Sequence, residues 1–400
     1  MYTSPRIGAR AAALALAGVL AVGSTAALAG KLERGNRNVS PIFADGKIYG
    51  EISGAFILPD GDGQDSFGRD FGDFLQRDTD FGAAVKYQIS PTLSTALIFD
   101  EPFGANIAYD EAAFPIGPGP LPGVSVNGTF ADLTVLSFTS ITRYKFNENF
   151  SVYGGPRAQR AGFEVGLPFL AATGLLNYQA NSGDDWGFGY VAGAAFEIPQ
   201  FKVRASLTYH SEIQHEWNIR ETGTTALGAF SNVGRFANQT PQGVDFDFQF
   251  PVSKTTLVYG NIHWADFSAT SLVVPSLPTA PILEYNGDNW AAKLGVAQAL
   301  SPTWVVAADV TYEWESGEDT SPFRTADGEV SLGLASRHQF EGTTVTFGAQ
   351  YKVLDANDPN PAFLPGVPPV GISYGDQDVL SLGVKIGFSL SEDTPSTSLK

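Results

Sequence analysis

The chain has no cysteine and one methionine, and only 16% of its 400 residues are charged. Without cysteine, thiol catalysis, cysteine-based zinc sites and a disulfide framework are excluded. Such a chain suits export, where stray cross-links would be a hazard. Basic residues are scarce, 24 against 42 acidic, for a net charge of −18. With so little to neutralise a phosphate backbone, nucleic acid is excluded as a partner. The four histidines, His210, His215, His263 and His338, form no pair at metal-ligand spacing. Long apolar runs are also missing beyond residue 29, so a membrane could be crossed only by a closed β-barrel. What is abundant is glycine (44), proline (25), phenylalanine (29) and tyrosine (14), a strand-and-turn composition that argues against an all-helical fold.

Residues 1–29 have the layout of a secretory leader: Arg6 and Arg10 as positive flank, Ala11 to Val22 as apolar stretch, and Ala27-Leu28-Ala29 as cleavage site. The apolar stretch falls short of the roughly 20 residues a bilayer helix needs. The expected organisation is a signal peptide over 1–29, a non-strand segment over 30–47, a strand-rich body over 48–388 and a polar tail over 389–400.

Two-residue alternation marks the strands. From Phe201 to Trp217 one parity carries Phe201, Val203, Leu207, Tyr209, Ile213 and Trp217, and the other is polar. Trp304 to Glu315 repeats the pattern, and aromatics end both apolar faces, as an interfacial girdle requires. The full set of expected strands is 48–58, 79–89, 92–101, 131–146, 149–163, 185–198, 201–218, 243–250, 254–267, 288–300, 303–315, 327–340, 343–354 and 376–388. Tight turns at Ser90-Pro91, Asn147-Glu148, Pro199-Gln200, Pro251-Val252, Ser301-Pro302 and Glu341-Gly342 alternate with long irregular connections at 59–78, 102–130, 164–184, 219–242, 268–287, 316–326 and 355–375. Short periplasmic turns and long extracellular loops are the pattern of an outer-membrane barrel. The expected fold is therefore all-β, a 14-stranded antiparallel transmembrane β-barrel in the bacterial outer membrane. It closes without a partner subunit, which predicts a monomer surrounded by membrane lipids and lipopolysaccharide. A propeller would need a repeat of about 40 residues, which is absent, and a two-domain sandwich would need a composition break.

Several stretches resemble the FadL-type outer-membrane transporters, the OmpP1/FadL/TodX family of long-chain fatty acid and aromatic hydrocarbon channels. They are Arg34-Gly35-Asn36-Arg37-Asn38-Val39-Ser40-Pro41 ahead of the barrel, Glu101-Pro102-Phe103-Gly104-Ala105-Asn106 closing strand three, Trp186-Gly187-Phe188-Gly189-Tyr190 opening strand six, and Thr240-Pro241-Gln242 before strand eight. One departure is Ser40-Pro41-Ile42, where the family usually has Asn-Pro-Ala. The resemblance implies that an N-terminal hatch, with Arg34, Asn36, Asn38, Pro41 and Phe43, plugs the barrel. It also implies capture of a hydrophobic ligand between extracellular loops and sideways release where strand three kinks inward, at Pro102, Phe103, Gly104 and Ala105.

The residues speak to these expectations independently. Connections 164–184 and 219–242 carry Phe169, Leu170, Leu175, Leu176, Leu227, Phe230 and Phe236, an apolar load that marks either a capture surface or a self-packed lid. Pro102 cannot donate to a ladder and Gly104 weakens a strand, so the sequence allows either a break in the wall or a strand that ends at Glu101. Arg143, Arg157, Lys202, Arg204 and Lys293 have inward parity, and Arg157 is the chosen partner for a cargo carboxylate. The acidic stretch Asp60, Asp62, Asp65, Asp70, Asp73 lacks calcium-loop spacing and reads as solvated acid. Ser211 and His215 share outward parity on strand seven without an oxyanion motif, and Gly187-Phe188-Gly189 lacks a nucleotide fingerprint. No catalytic residue, metal or cofactor is expected. The function expected is passive uptake of a hydrophobic small molecule, a long-chain fatty acid foremost. The competing readings are a polar-solute porin, an adhesin and a lipid-modifying enzyme.

Overall fold

The computed structural model describes residues 32–34, 37–64, 70, 72–109, 128–170, 175–225, 227–276, 283–285, 287–315, 323–356 and 373–390. They form one closed antiparallel barrel whose strands run β1 (Ile48–Gln64), β2 (Asp78–Gln88), β3 (Leu93–Ala108), β4 (Phe130–Lys145), β5 (Phe150–Leu170) and β6 (Leu175–Ile198). Then follow β7 (Val203–His210, resuming as Ile213–Thr225), β8 (Gly228–Thr240, resuming as Gln242–Pro251), β9 (Thr256–Asp266) and β10 (Asp288–Ser301). The ring is completed by β11 (Trp304–Glu313), β12 (Ala326–Gln339), β13 (Thr343–Ala356) and β14 (Ser373–Leu390). Pairing of β1 with β14, from Ile48↔Leu390 to Gln64↔Ser373, closes the ring and leaves the sheet without a free edge there.

The alternation expected from the sequence is realised as a lipid-facing exterior. On β14, Leu380, Leu382, Val384, Ile386 and Phe388 are all exposed, while Val379 and Ser381, on either side of Leu380, are fully buried. Phe146, Phe201 and Phe340 beside the short turns are exposed, as are Trp186, Trp290 and Trp314 toward the other rim, so two aromatic rows bracket the apolar belt.

Three expectations are corrected. Strand seven is not continuous: Ser211 and Glu212 fall between its two ladder segments, and the parity flips there. Ile213 and Trp217 consequently point inward, and so does His215, while Gln214, Glu216, Asn218 and Arg220 face out. Ser211 is likewise buried, so the outward Ser211–His215 pairing does not exist. The flip has a physical reason: above the lipid belt the barrel exterior meets water, and the apolar parity must turn into the lumen. The second correction concerns connections 164–184 and 219–242, whose described residues are for the most part ladder extensions. β5 pairs with β6 as far as Leu170↔Leu175, and β7 with β8 as far as Thr225↔Gly228. Third, strand three does not end at Glu101 but continues to Ala108. Of the acidic stretch, Asp65 lies outside the described residues, and among the described residues no group of His, Asp or Glu is arranged to hold a metal.

The interior is divided. Val39, Ile42 and Phe43 of the segment before β1 pack on Ala84, Ala96, Ile98, Ile141, Tyr153 and Val191 of β2 to β6. On the opposite side, a cavity of about 180 Å³ lies between that segment and the inner faces of β1 and β7 to β14, and its lining is polar.

Candidate functional site

The barrel wall has a gap between β2 and β3. Their ladder runs from Gln88↔Ser94 only to Ala83↔Phe99. Beyond it β2 continues to Asp78 paired with β1 alone, and β3 continues to Ala108 paired with β4. The cause lies in Pro102. It has no N–H to donate, and the β3–β4 register shifts between Asp100 and Phe103, leaving Glu101 and Pro102 out of the ladder. A small cavity of about 40 Å³ opens in the gap, lined among others by Asp80, Phe81, Phe99, Asp100, Glu101 and Pro102.

The freed edge of β3 is taken by the N-terminal segment. Arg34 N donates to Pro102 O at 2.9 Å, Gly104 N donates to Leu32 O at 2.9 Å, and Glu33 bridges Phe103. This short pairing places the Arg34 side chain across the gap. Its guanidinium donates to the Asp78 carboxylate on β2 and lies 3.4 Å from both Thr79 O and the Glu101 carboxylate on β3. Gly104 makes the arrangement feasible, since a Cβ there would stand 2.1 Å from Arg34 Nε.

Further along, the segment is tied to the far wall by buried charge. Glu33 Oε2 is 3.0 Å from His263 Nε2, and His263 Nδ1 is 2.9 Å from Asp245 Oδ1, its direct cross-strand neighbour. Arg37 pairs with Glu33 at 3.3 Å, donates to Pro241 O at 2.9 Å and sits 5.0 Å over the Phe103 ring. Phe43 is held between the guanidinium groups of Arg143 and Arg204, 4.6 and 4.5 Å from its centroid, and meets Tyr153 edge-on. Burial raises the Glu33 pKa, but the charges of His263 and Arg37 outweigh it and hold the carboxyl below its ordinary value. The tether is therefore present above the usual carboxylate pKa and is lost as pH falls through the lowered one. Glu33→Gln removes one partner of a buried pair, a change expected to cost about 3–5 kcal/mol of segment docking. Because the chain has no native cysteine, the effect is readable as faster maleimide labelling of an Asn38→Cys reporter, and an unchanged labelling rate would show that Glu33 is not a tether.

Toward the long-connection end, the lumen holds an apolar cluster built on Phe163, Trp217, Phe236, Phe267, Tyr285 and Phe103. Phe163 packs edge-on against Trp217 and Phe236, at 5.5 and 5.6 Å between centroids. Glu221 is fully buried at its margin, accepting from Tyr178 Oη at 2.7 Å and from Ser276 N at 3.0 Å.

More than half of the chain, residues 122–352, matches the family of outer membrane protein transport proteins (OMPP1/FadL/TodX). The chain belongs to this family. Among solved structures it is similar to a Pseudomonas aeruginosa FadL homologue at 14% identity, with a TM-score of 0.66 over 88% of this chain and 92% of that one. The Pseudomonas putida toluene transporter TodX matches at 11% identity, TM-score 0.66, over 88% and 92% of the two chains. The Ralstonia pickettii toluene transporter TbuX matches at 12% identity, TM-score 0.60, over 87% and 91%. At such identities the likeness is one of fold. No curated protein matches the chain. Membership of this family makes the chain an outer-membrane transport protein.

In this FadL-family barrel the residues singled out from the sequence fall into separate places. Pro102, Phe103, Gly104 and Ala105 lie together on the edge of β3 that β2 leaves and the N-terminal segment takes up, and Arg34, Asn38, Pro41 and Phe43 lie in that segment; Asn36 is outside the described residues. Phe236 is buried in the apolar cluster and Phe230 packs against it, whereas Leu227 is fully exposed at the hairpin tip. Phe169 and Leu170 pair in backbone register with Leu176 and Leu175, but their side chains are outside the described residues. Arg157 stands apart from the cluster: its Nε donates to Thr139 at 2.8 Å and its Nη1 lies 3.2 Å from His210. Of the other inward cations, Arg143 is paired with Glu197, and Lys202 lies 4.0 Å from Asp45. Sequence reasoning missed Glu33, Asp78, Asp245 and His263 as partners of the N-terminal segment. Inward parity of an Asp and a His on neighbouring strands was the available signal for the last two.

Proposed function

We propose that the protein takes up hydrophobic small molecules passively across the outer membrane, with residues 30–47 as the hatch. Cargo is captured at the apolar extracellular hairpins, passes along the aromatic cluster and leaves sideways through the gap at Pro102 to Ala105. The observation that supports lateral release is the ladder that β2 and β3 abandon at Ala83↔Phe99 while both strands continue. Long-chain fatty acid is the cargo expected first. A neutral aromatic hydrocarbon is the second reading, favoured by a cluster made largely of aromatic rings with a buried carboxylate, Glu221, at its margin. Cells lacking the protein and cells carrying it on a plasmid are compared for initial uptake of labelled oleate and toluene. A saturable component is expected only with the protein, and its absence for both compounds would overturn the transport reading.

A further inference from the structure

The gap between β2 and β3 is closed at both ends. Below it the ladder stops at Ala83↔Phe99, and above it Leu75 bridges Ile107, with Gln76 N donating to Asn106 O at 3.1 Å and Ala108 N to Phe74 O at 3.0 Å. Both closures share one register, since the step from Ala83 back to Leu75 equals that from Phe99 on to Ile107. Residues 77–82 and 100–105 therefore face each other in equal number, and the two strands can meet without either sliding. Each edge also turns hydrogen-bonding groups toward the other. Gln88 N donates to Lys47 O, so the even-numbered residues of β2 bond to β1, and the alternation directs the N–H and C=O of Thr79 and Phe81 into the gap. Thr79 is served there by side chains: its N–H donates to Asp78 Oδ1 at 2.7 Å, and its carbonyl lies 3.4 Å from Arg34 Nη1. On β3, Pro102 O and Gly104 N face the gap, and these are the two groups that Arg34 N and Leu32 O occupy. Leu32 to Arg34 thus stands where β2 would. Glu33, in the middle of this short pairing, carries its side chain to His263 on β9, so the pairing is anchored from across the lumen.

We propose that Leu32 to Arg34 is a removable strand that props the lateral exit open, and that its withdrawal lets β2 and β3 pair and seal the wall. The driving force is the backbone itself. The gap lies level with the upper aromatic row, because Phe81 meets Phe99, Phe99 meets Phe138 and Phe138 meets Trp186. Peptide groups stripped of their partners at the lipid boundary are costly, and two facing unpaired edges are templates for each other. The two routes through the barrel are then opposed: the movement that unblocks the lumen closes the wall. Glu33 and Arg34 are on this account positioning residues for the exit. The meaning for transport rests on lateral release, whereas closure of the wall does not.

The test follows oxidation of Phe81→Cys with Glu101→Cys, a pair that faces across the closed gap, as loss of maleimide-reactive thiol in reduced outer membranes given a fixed dose of mild oxidant. In the otherwise intact chain oxidation is expected to be slow. Adding Arg34→Pro, which removes the N–H that bonds Pro102, is expected to speed it severalfold. Arg34→Gln keeps that N–H and is expected to do much less, a difference that a role of the guanidinium alone would not produce. Deleting residues 30–44 is the limiting case, with heat-modifiable migration as the check that each barrel is folded. Oxidation no faster in the folded deletion barrel than in the intact chain would overturn the proposal. If the deletion does not assemble, Arg34→Pro decides in its place, its release of the segment being read in a separate chain by the Asn38→Cys reporter. In chains without cysteine, Arg34→Pro is expected to raise planar-bilayer conductance and lower saturable oleate uptake together. Were oxidation to quicken on withdrawal while the oxidised protein still took up oleate undiminished, closure would stand and lateral release would fail.

Discussion

Deleting residues 30–44 is expected to raise the single-channel conductance of the purified barrel severalfold and to abolish saturable uptake of hydrophobic cargo. The segment packs Val39, Ile42 and Phe43 against β2 to β6, and the polar cavity begins on its other side, so its removal would join two halves of the lumen into one aqueous path. The barrel should survive the loss. Its closure depends on the β1–β14 ladder, which begins at Ile48, and His263 keeps Asp245 after losing Glu33. Arg143 keeps Glu197 after losing Phe43. Circular dichroism should therefore remain that of a β-barrel while planar-bilayer conductance rises. Unchanged conductance would show that the segment does not plug the lumen.

The sequence made the barrel legible and its upper half illegible for the same reason. Strand reading depends on a greasy parity opposite a polar one, and lipid on the outside enforces that contrast from Trp304 to Tyr312 and from Leu380 to Phe388. Above the lipid the contrast persists with its sign reversed. Trp217 and Ile219 face in and Glu216 and Asn218 face out, so a reading that assumed one continuous face placed Ile213 and Trp217 on the wrong side. The same reversal made two strand extensions look like apolar loops. Proline and glycine at 102 and 104 marked the place where the ladder changes but left open a break in the wall or the end of the strand, because the missing donor and missing Cβ are local properties. What they could not disclose was the occupant. Arg34 reaches Asp78 and Glu101 over 44 and 67 residues of chain, and only the folded barrel brings those groups together. Arg157 shows how far parity reaches: inward parity identified a buried cation, while its partners, Thr139 on β4 and His210 on β7, are set by the folded wall.

If cargo leaves through the gap, tying β2 to β3 just beyond their last ladder pair should stop uptake and leave binding intact. Substituting β-branched residues at 102 and 104 is a poor way to do so, because a Cβ at 104 would collide with the Arg34 side chain and displace it as it formed the strand. A cross-link avoids this ambiguity. Extending the register past Ala83↔Phe99 sets Phe81 opposite Glu101, and the ring of Phe81 already meets that of Phe99 at 5.9 Å. The chain has no cysteine of its own, so Phe81→Cys with Glu101→Cys gives a single pair, placed in a compartment that oxidises it. A disulfide requires its Cβ atoms about 3.5–4.5 Å apart, and a short bis-thiol reagent spans the pair where breathing of the gap does not reach that distance. In the cross-linked state, uptake is expected to fall to the level of cells lacking the protein, while equilibrium binding of cargo to the purified barrel persists. Reduction should restore transport in the same cells, which separates closure of the gap from the loss of Phe81 and Glu101. Transport that continues through a cross-linked wall would instead require passage down the lumen past a displaced hatch, since a solute on that path never crosses between β2 and β3.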